Sequence, residues 1–254
     1  MKPGTLKQMN WLDLPPDVML HIFLKLGVIE ILLNAQSLCS SWRKLAREPQ
    51  LYRRFDLSDP WSHFRPNSFT RARRLIEVVG NCLISALCIL TVMRALRLIC
   101  CYRFKEDILI EALKKFPLLE EFELCHCSFS KNVIEAAGIS CPKLKFFRLN
   151  PDKSRAFRLN QSAFVDEFNE EALAIAATMP GLRRLHLFGN MMNDNGLKAI
   201  LEKCPHLEYL DLRECFNITI NKDFSKKFGG IKEIRLTNDS TDEYEFKLDI
   251  YYSE

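Results

Sequence analysis

The chain has 254 residues, 48% of them apolar and 27% charged, with a formal net charge of +4. That composition excludes a disordered chain and a disulfide-built miniature, and so mild a charge is no argument for nucleic acid. The most apolar run, Cys82 to Met93, has twelve residues; a bilayer needs about 20, so the run reads as a buried element and not a span.

The amino-terminal stretch MKPGTLKQMNWLDLPP carries no secretory h-region, so a nuclear or cytosolic protein is expected. Its ten cysteines then read as reduced thiols. No CxxC pair occurs, and Cys125-His126-Cys127 lacks the spacing of a zinc hairpin, so no metal site is expected.

The first strong element is LPPDVMLHIFLKLG, Leu14 to Gly27. Pro16 and Asp17 suit the first turn of a helix: proline lacks only an amide that would be unpaired there, and aspartate favours the positive end. Gly27 suits its end. Met19, Ile22, Phe23 and Leu26 form one apolar stripe, while Val18, Leu20 and Leu24 form another. A second helical pattern places Ala35, Leu38, Cys39, Trp42 and Leu45 on one face. About fifty residues cannot bury two stripes and a tryptophan alone, so another surface must cover the surplus.

Leu14-Pro15-Pro16-Asp17, Ile22-Phe23, Leu26, Leu38-Cys39, Ser41-Trp42-Arg43 and Leu51-Tyr52 together resemble the F-box. The resemblance implies a three-helix domain over residues 9–57 that docks on the Skp-type adaptor of cullin-based ubiquitin ligases. It further implies that Leu14, Pro15, Pro16, Leu20, Phe23, Leu38, Cys39 and Trp42 serve as adaptor contacts or as the core beneath them.

Residues 58–94 read as a junction and a degenerate first repeat. EVVGNC (Glu77 to Cys82) imitates the later helix end EAAGISCP (Glu135 to Pro142), so a strand is expected near Leu87 to Leu90. That leaves too few residues before Leu96 for the helix a full repeat requires. The basic sequence RARR (Arg71 to Arg74) reads as a solvated junction, with a nuclear signal as the alternative.

From Leu96 onward the chain repeats. Apolar doublets x-L-x-L place Leu98, Leu124, Leu149, Leu187, Leu212 and Leu236 at spacings of 26, 25, 38, 25 and 24 residues. Alternation with period two marks a half-buried strand. Three residues after each second doublet position stands Cys101, Cys127, Asp152, Asn190, Cys215 or Asp239. A small polar or thiol side chain there can turn inward and bond to the backbone of the bend, which otherwise leaves buried amides unpaired. Helical patterns follow, such as EDILIEALKKF, NEEALAIAATM and DNGLKAILEKC. The pattern resembles leucine-rich repeats of the cysteine-containing class, which stack into curved solenoids with strands on the concave side. The extra residues of the 38-residue unit read as a loop on the rim.

The expected fold is therefore α/β: an N-terminal three-helix F-box, then a short curved leucine-rich-repeat solenoid over residues 95–239, then an acidic, disordered tail over 240–254. Alternation points Phe146, Arg148, Arg184, His186, Phe188, Tyr209, Asp211 and Arg213 towards the concave surface, with other flanking residues such as Arg97 and Glu123. Aromatics and arginines are enriched in protein hot spots, so this strip is the candidate substrate-binding site. His186 has no neighbouring nucleophile or ligand pattern, and no phosphate loop or hydrolase elbow occurs, so no catalytic residue is expected. No cofactor is expected either: about six repeats make an open arc, unlike the nearly closed solenoids of hormone-binding relatives. NWLDLPPDV, LDLRECFN and NDSTDEYEF look most like the plant F-box/LRR proteins described as Skp-interacting partners. The implied function is the substrate receptor of a Skp–cullin–F-box ligase, with an unidentified protein target. A ligase-independent protein-binding scaffold and a degenerate paralogue are the alternatives.

Overall fold

A strand of the form x-L-x-L hides its two leucines only when a second layer covers that face, and seven such strands share one layer here. The computed structural model describes residues 14–57, 92–99, 101, 104–151, 168–219 and 228–245. Strands β1 (Arg54–Leu57), β2 (Ala95–Ile99), β3 (Glu121–Cys127), β4 (Phe146–Pro151), β5 (Arg184–His186), β6 (Tyr209–Asp211) and β7 (Glu233–Arg235) form one parallel sheet in chain order. Register aligns Phe55, Leu96, Phe122, Phe147, Leu185, Leu210 and Ile234 in one row. All of these but the half-buried Ile234 are buried.

Helices α5 (Glu106–Leu113), α6 (Lys131–Ser140), α7 (Glu170–Thr178) and α8 (Asp194–Lys203) follow β2, β3, β4 and β5. Each buries one stripe: Leu109, Ala112 and Leu113 on α5, Leu197 and Ile200 on α8. Adjacent helices approach closely at Gly196, where a Cβ would sit 2.6 Å from Asn169 Oδ1 and 3.0 Å from Ala172 Cβ. The same Asn169 Oδ1 accepts a hydrogen bond from the Asn193 amide at 3.1 Å.

The N-terminal module has three helical segments. The first is α1 (Pro16–Leu26), which begins at Pro16 and ends before Gly27 at φ +80°. The second runs through α2 (Val28–Glu30), a π-helical turn (Ile31–Ala35) and α3 (Gln36–Leu38); the third is α4 (Ser40–Leu45). The expected single face from Ala35 to Leu45 does not form. Cys39 turns extended (φ −157°, ψ 170°), and its Sγ caps α4 by accepting from the Trp42 amide at 3.4 Å. The break sends Ala35 inward, 3% exposed, and Leu38 outward, 68% exposed.

Arg54–Leu57, read from the sequence as the end of the F-box, is also the first strand of the sheet and pairs directly with β2. The strand expected at Leu87 to Leu90 lies outside the described residues, as do RARR and the inserted loop after Pro151. Met19, Phe23, Tyr52 and Phe55 share one continuous core with the repeats.

The bend thiols act as rungs between turns. Cys127 Sγ donates to Leu98 O at 3.5 Å and Cys215 Sγ to Leu187 O at 2.9 Å. Asn190 and Asp239 bond within their own bends instead: Asn190 Oδ1 accepts from the Met192 amide at 2.9 Å, and Asp239 Oδ2 from Leu236 N at 2.8 Å. Between turns, the helix-end thiols do the same as the bend thiols, Cys204 Sγ reaching Met179 O at 3.6 Å. All seven cysteines among the described residues are free thiols. Burial pushes Cys125, Cys141 and Cys215 up to about 12, so they stay protonated thiols.

The register also aligns a row of ionisable groups across the other face: Asp56, Arg97, Glu123, Arg148, His186, Asp211 and Arg235. Glu123 lies 3.1 Å from Arg97 Nε and 3.0 Å from Arg148 Nη1. Asp211, with no exposed surface, takes Arg213 Nη2 at 2.7 Å, Arg213 Nε at 3.0 Å and the Arg213 amide at 3.1 Å. Burial alone would raise the Asp211 carboxyl, but hydrogen bonds from His186 and Arg213 outweigh it and hold the group well below the carboxylate range. Burial lowers His186, and the nearby Arg148 and Arg184 guanidiniums add to that, against the opposing pull of Asp211.

Two measurements check this packing. Gly196→Ala forces Asn169 off its bond and is expected to lower the unfolding free energy by about 1–3 kcal/mol in urea, by overpacking. Leu173→Ala on the exposed side of α7 is expected to change it by less than about 0.5 kcal/mol. Both His186 and Asp211 bind protons less readily folded than unfolded, so each stabilises the fold above its unfolded value and loses that contribution as pH falls. The urea midpoint is expected to decline as pH falls through about 6.5 and again through about 4, the unfolded values for His and Asp. His186→Phe is expected to shrink the first step and Asp211→Asn the second.

Candidate interaction surfaces

Two surfaces of opposite character emerge. The first is apolar and lies on the N-terminal module. Only Met19 and Phe23 of α1 are buried. Val18 is 41% exposed, Leu24 50%, Leu26 41% and Leu38 68%, so apolar side chains face solvent around most of this helix and at the end of α3. Pro15 and Pro16 are exposed beside them.

The residues named from the sequence divide accordingly. Leu14, Leu20 and Trp42 are half-buried and pack against the module's own core. Phe23 is fully buried, its ring 5.3 Å from that of Trp42 and edge-on at 75°. It is a core residue and leaves the set of contacts, because i to i+4 spacing from Met19 points both inward. Cys39 is the helix cap described above. Leu38 is exposed, as are Val18, Leu24 and Leu26, which lie outside the set implied by the resemblance. Hydrophobicity marked all of them; only the packing angle of α1 separates covered from uncovered.

The second surface is the concave strip, which is polar and aromatic and pairs with itself. His186 stacks on Tyr209 at 4.6 Å and meets Phe146 edge-on at 5.2 Å. The Arg184 guanidinium lies over the rings of both Phe146 and Tyr209, at 5.5 and 5.3 Å. Phe146, Arg148 and Tyr209 are half-buried and Arg184 is exposed. Alternation thus brings the predicted residues together, with one correction. Asp211 cannot touch a partner, since its carboxylate is enclosed by Arg213 and His186; it is a positioning residue for both. His186, Phe188 and Arg213 are 6–8% exposed, far more covered than an open face allows.

His186 is covered by Phe146, Tyr209 and Asp211; Phe188 and Arg213 are covered by the C-terminal segment, which departs from the expected disordered tail over residues 240–245. Ser240 O accepts from Arg213 Nη1 at 2.9 Å. Tyr244 stacks face to face on Phe188, centroids 3.7 Å apart at 10°. Glu245 reaches Arg97 Nη1 at 3.2 Å and Arg148 Nη1 at 3.4 Å. No sequence signal separated these residues from an ordinary acidic tail, because the contacts join positions 148 and 97 residues apart.

Among the described residues no group of three or more His, Cys, Asp or Glu side chains is disposed to hold a metal ion. No described helix is long and apolar enough to cross a membrane.

Comparison with known proteins agrees with this architecture. A family profile described as F-box-like matches residues 11–58. The F-box protein SKIP19 of Arabidopsis thaliana is 36% identical over 248 residues, covering 91% of this chain and 78% of that protein. Putative F-box/LRR-repeat protein 22 of the same plant is 34% identical, covering 96% of this chain and 82% of its own length. Putative F-box/LRR-repeat protein 23 is 37% identical over 93% of this chain, which spans 55% of that longer relative. With an F-box-like match on the apolar module and full-length similarity running through the strands and helices behind it, the chain belongs to the F-box/LRR-repeat family of plant proteins.

Proposed function

We propose that this protein is the substrate-recognition subunit of a Skp–cullin–F-box ubiquitin ligase. The F-box implies a Skp-type adaptor as partner, and the observation that carries the reading is the uncovered apolar surface of Val18, Leu24, Leu26 and Leu38. A folded module leaves so much apolar area in water only where another protein covers it. Each side chain buried on docking contributes about 1.5–3 kcal/mol before association costs.

The chain itself carries no chemistry in this reading. Its contribution is geometric: the F-box holds the ligase through the adaptor and cullin, and the arc holds a target protein. Because the core is continuous from Phe23 to Phe228, the two surfaces keep a constant separation. That raises the effective concentration of a target lysine near the charged ubiquitin carrier. Buried thiols that serve as hydrogen-bond donors suit a reducing compartment, the nucleus or cytosol.

Pull-down with a co-expressed Skp-type adaptor tests this. Wild type is expected to retain the adaptor. Leu38→Glu and Leu24→Glu are each expected to lose at least about tenfold of that retention with an unchanged melting temperature. Phe23→Ala is expected to lose adaptor by unfolding, seen as a lowered melting temperature. Failure of the wild type to retain any Skp adaptor overturns the ligase reading and leaves a free-standing protein-binding scaffold.

A further inference from the structure

The segment lying on the concave strip behaves as a bound peptide. It enters where Arg213 Nη1 holds Ser240 O, and it places an aromatic ring and then a carboxylate on the strip. Tyr244 is 9% exposed. Its ring covers Phe188, with the Arg213 guanidinium 5.6 Å from the Tyr244 centroid and 5.7 Å from that of Phe188. A cation beside two stacked rings is a general receptor for an aromatic side chain. The next residue puts its carboxylate between two arginines that start on different strands, Arg97 on β2 and Arg148 on β4. Both arginines are held in place from behind by the buried Glu123. A guanidinium fixed by one carboxylate and directed at another is organised before its ligand arrives, which limits the entropy lost on binding.

We propose that the concave strip is a recognition site for a peptide segment carrying an aromatic residue followed by a carboxylate. The chain's own Tyr244-Glu245 occupies it in cis, so that a target with the same chemistry must displace the tail. This names the class of target for the receptor reading above and rests on it. Specificity lies in two steps along the strip: the Phe188–Arg213 platform takes the ring, and the Arg97–Arg148 pair takes the acid. Because a tethered segment competes at an effective concentration in the millimolar range, micromolar targets bind only where they fit better or where the tail is released.

The test uses the full chain co-purified with its adaptor and a fluorescein-labelled peptide DSTDEYE, residues 239–245, read by fluorescence anisotropy. Wild type is expected to bind it weakly. The double variant Y244A/E245A, with its own ligand disabled, is expected to bind at least tenfold tighter, with an affinity that falls as salt rises. The peptide with Tyr and the final Glu changed to Ala is expected not to bind. Adding Arg148→Gln to the double variant is expected to remove at least fivefold of the affinity. Should Y244A/E245A lose its cooperative melt, E245A alone is read instead; its side chain is half exposed, and a gain of about threefold is expected. Absence of peptide binding by a folded variant overturns the proposal and makes the tail a structural strap, as does equal binding of the Ala-substituted peptide. Adaptor retention, measured on the same samples, separates the failures: retention without peptide binding removes this inference alone, while peptide binding without retention removes the ligase reading alone.

Discussion

Parallel register is the constraint on which everything else in this molecule depends. Seven strands keep one register through their apolar doublets, with a single shift at the end of β3 between Cys125 and Cys127, so that each apolar position falls on its counterpart one turn away and each flanking residue falls on the opposite face. A shift of one residue would exchange the two faces completely. The buried row cements the helices to the sheet, and the same alignment builds the charged row on the concave side. It also joins the modules. Strand β1 belongs by sequence to the F-box and by hydrogen bonding to the solenoid, so a single core runs through both.

That continuity matters because the two surfaces do different physical work. The F-box surface is apolar and uncovered, suited to affinity through burial of area. The concave strip is polar, aromatic and already paired, suited to discrimination, since a partner must match the charges it displaces or leave them unsatisfied. Glu123 and Asp211 are central to the strip although partners cannot reach Asp211 at all. Glu123 fixes Arg97 and Arg148 and Asp211 fixes Arg213, and a preorganised cation binds more selectively than a mobile one.

Much of this was legible in the sequence because solenoids are nearly one-dimensional: each turn contacts its neighbours, so local spacing carries the fold. The bend thiols show it best. Three residues after the second doublet position, Cys127 and Cys215 turn inward as the spacing implied, although each reaches a carbonyl of the previous turn where a bond within its own bend was expected. Legibility failed where contacts are long-range or where one side chain decides a backbone angle. Cys39 breaks a helix that apolar periodicity carries straight through, because its sulfur caps the next turn. The role of Arg54–Leu57 was hidden because a strand of four residues is defined by its partner and not by its own pattern.

By itself, then, the sequence determined the module types, the repeat length and the alternation of the strands, which follow from periodicity and short spacing. Tertiary structure decided which apolar residues of the first helix stay uncovered, where the solenoid begins, and that Tyr244 and Glu245 return to the strip. Those outcomes depend on packing angles and on contacts across about a hundred residues or more. There, loop-closure entropy is overcome only by the complete set of stacking and ionic contacts, and no local pattern announces it.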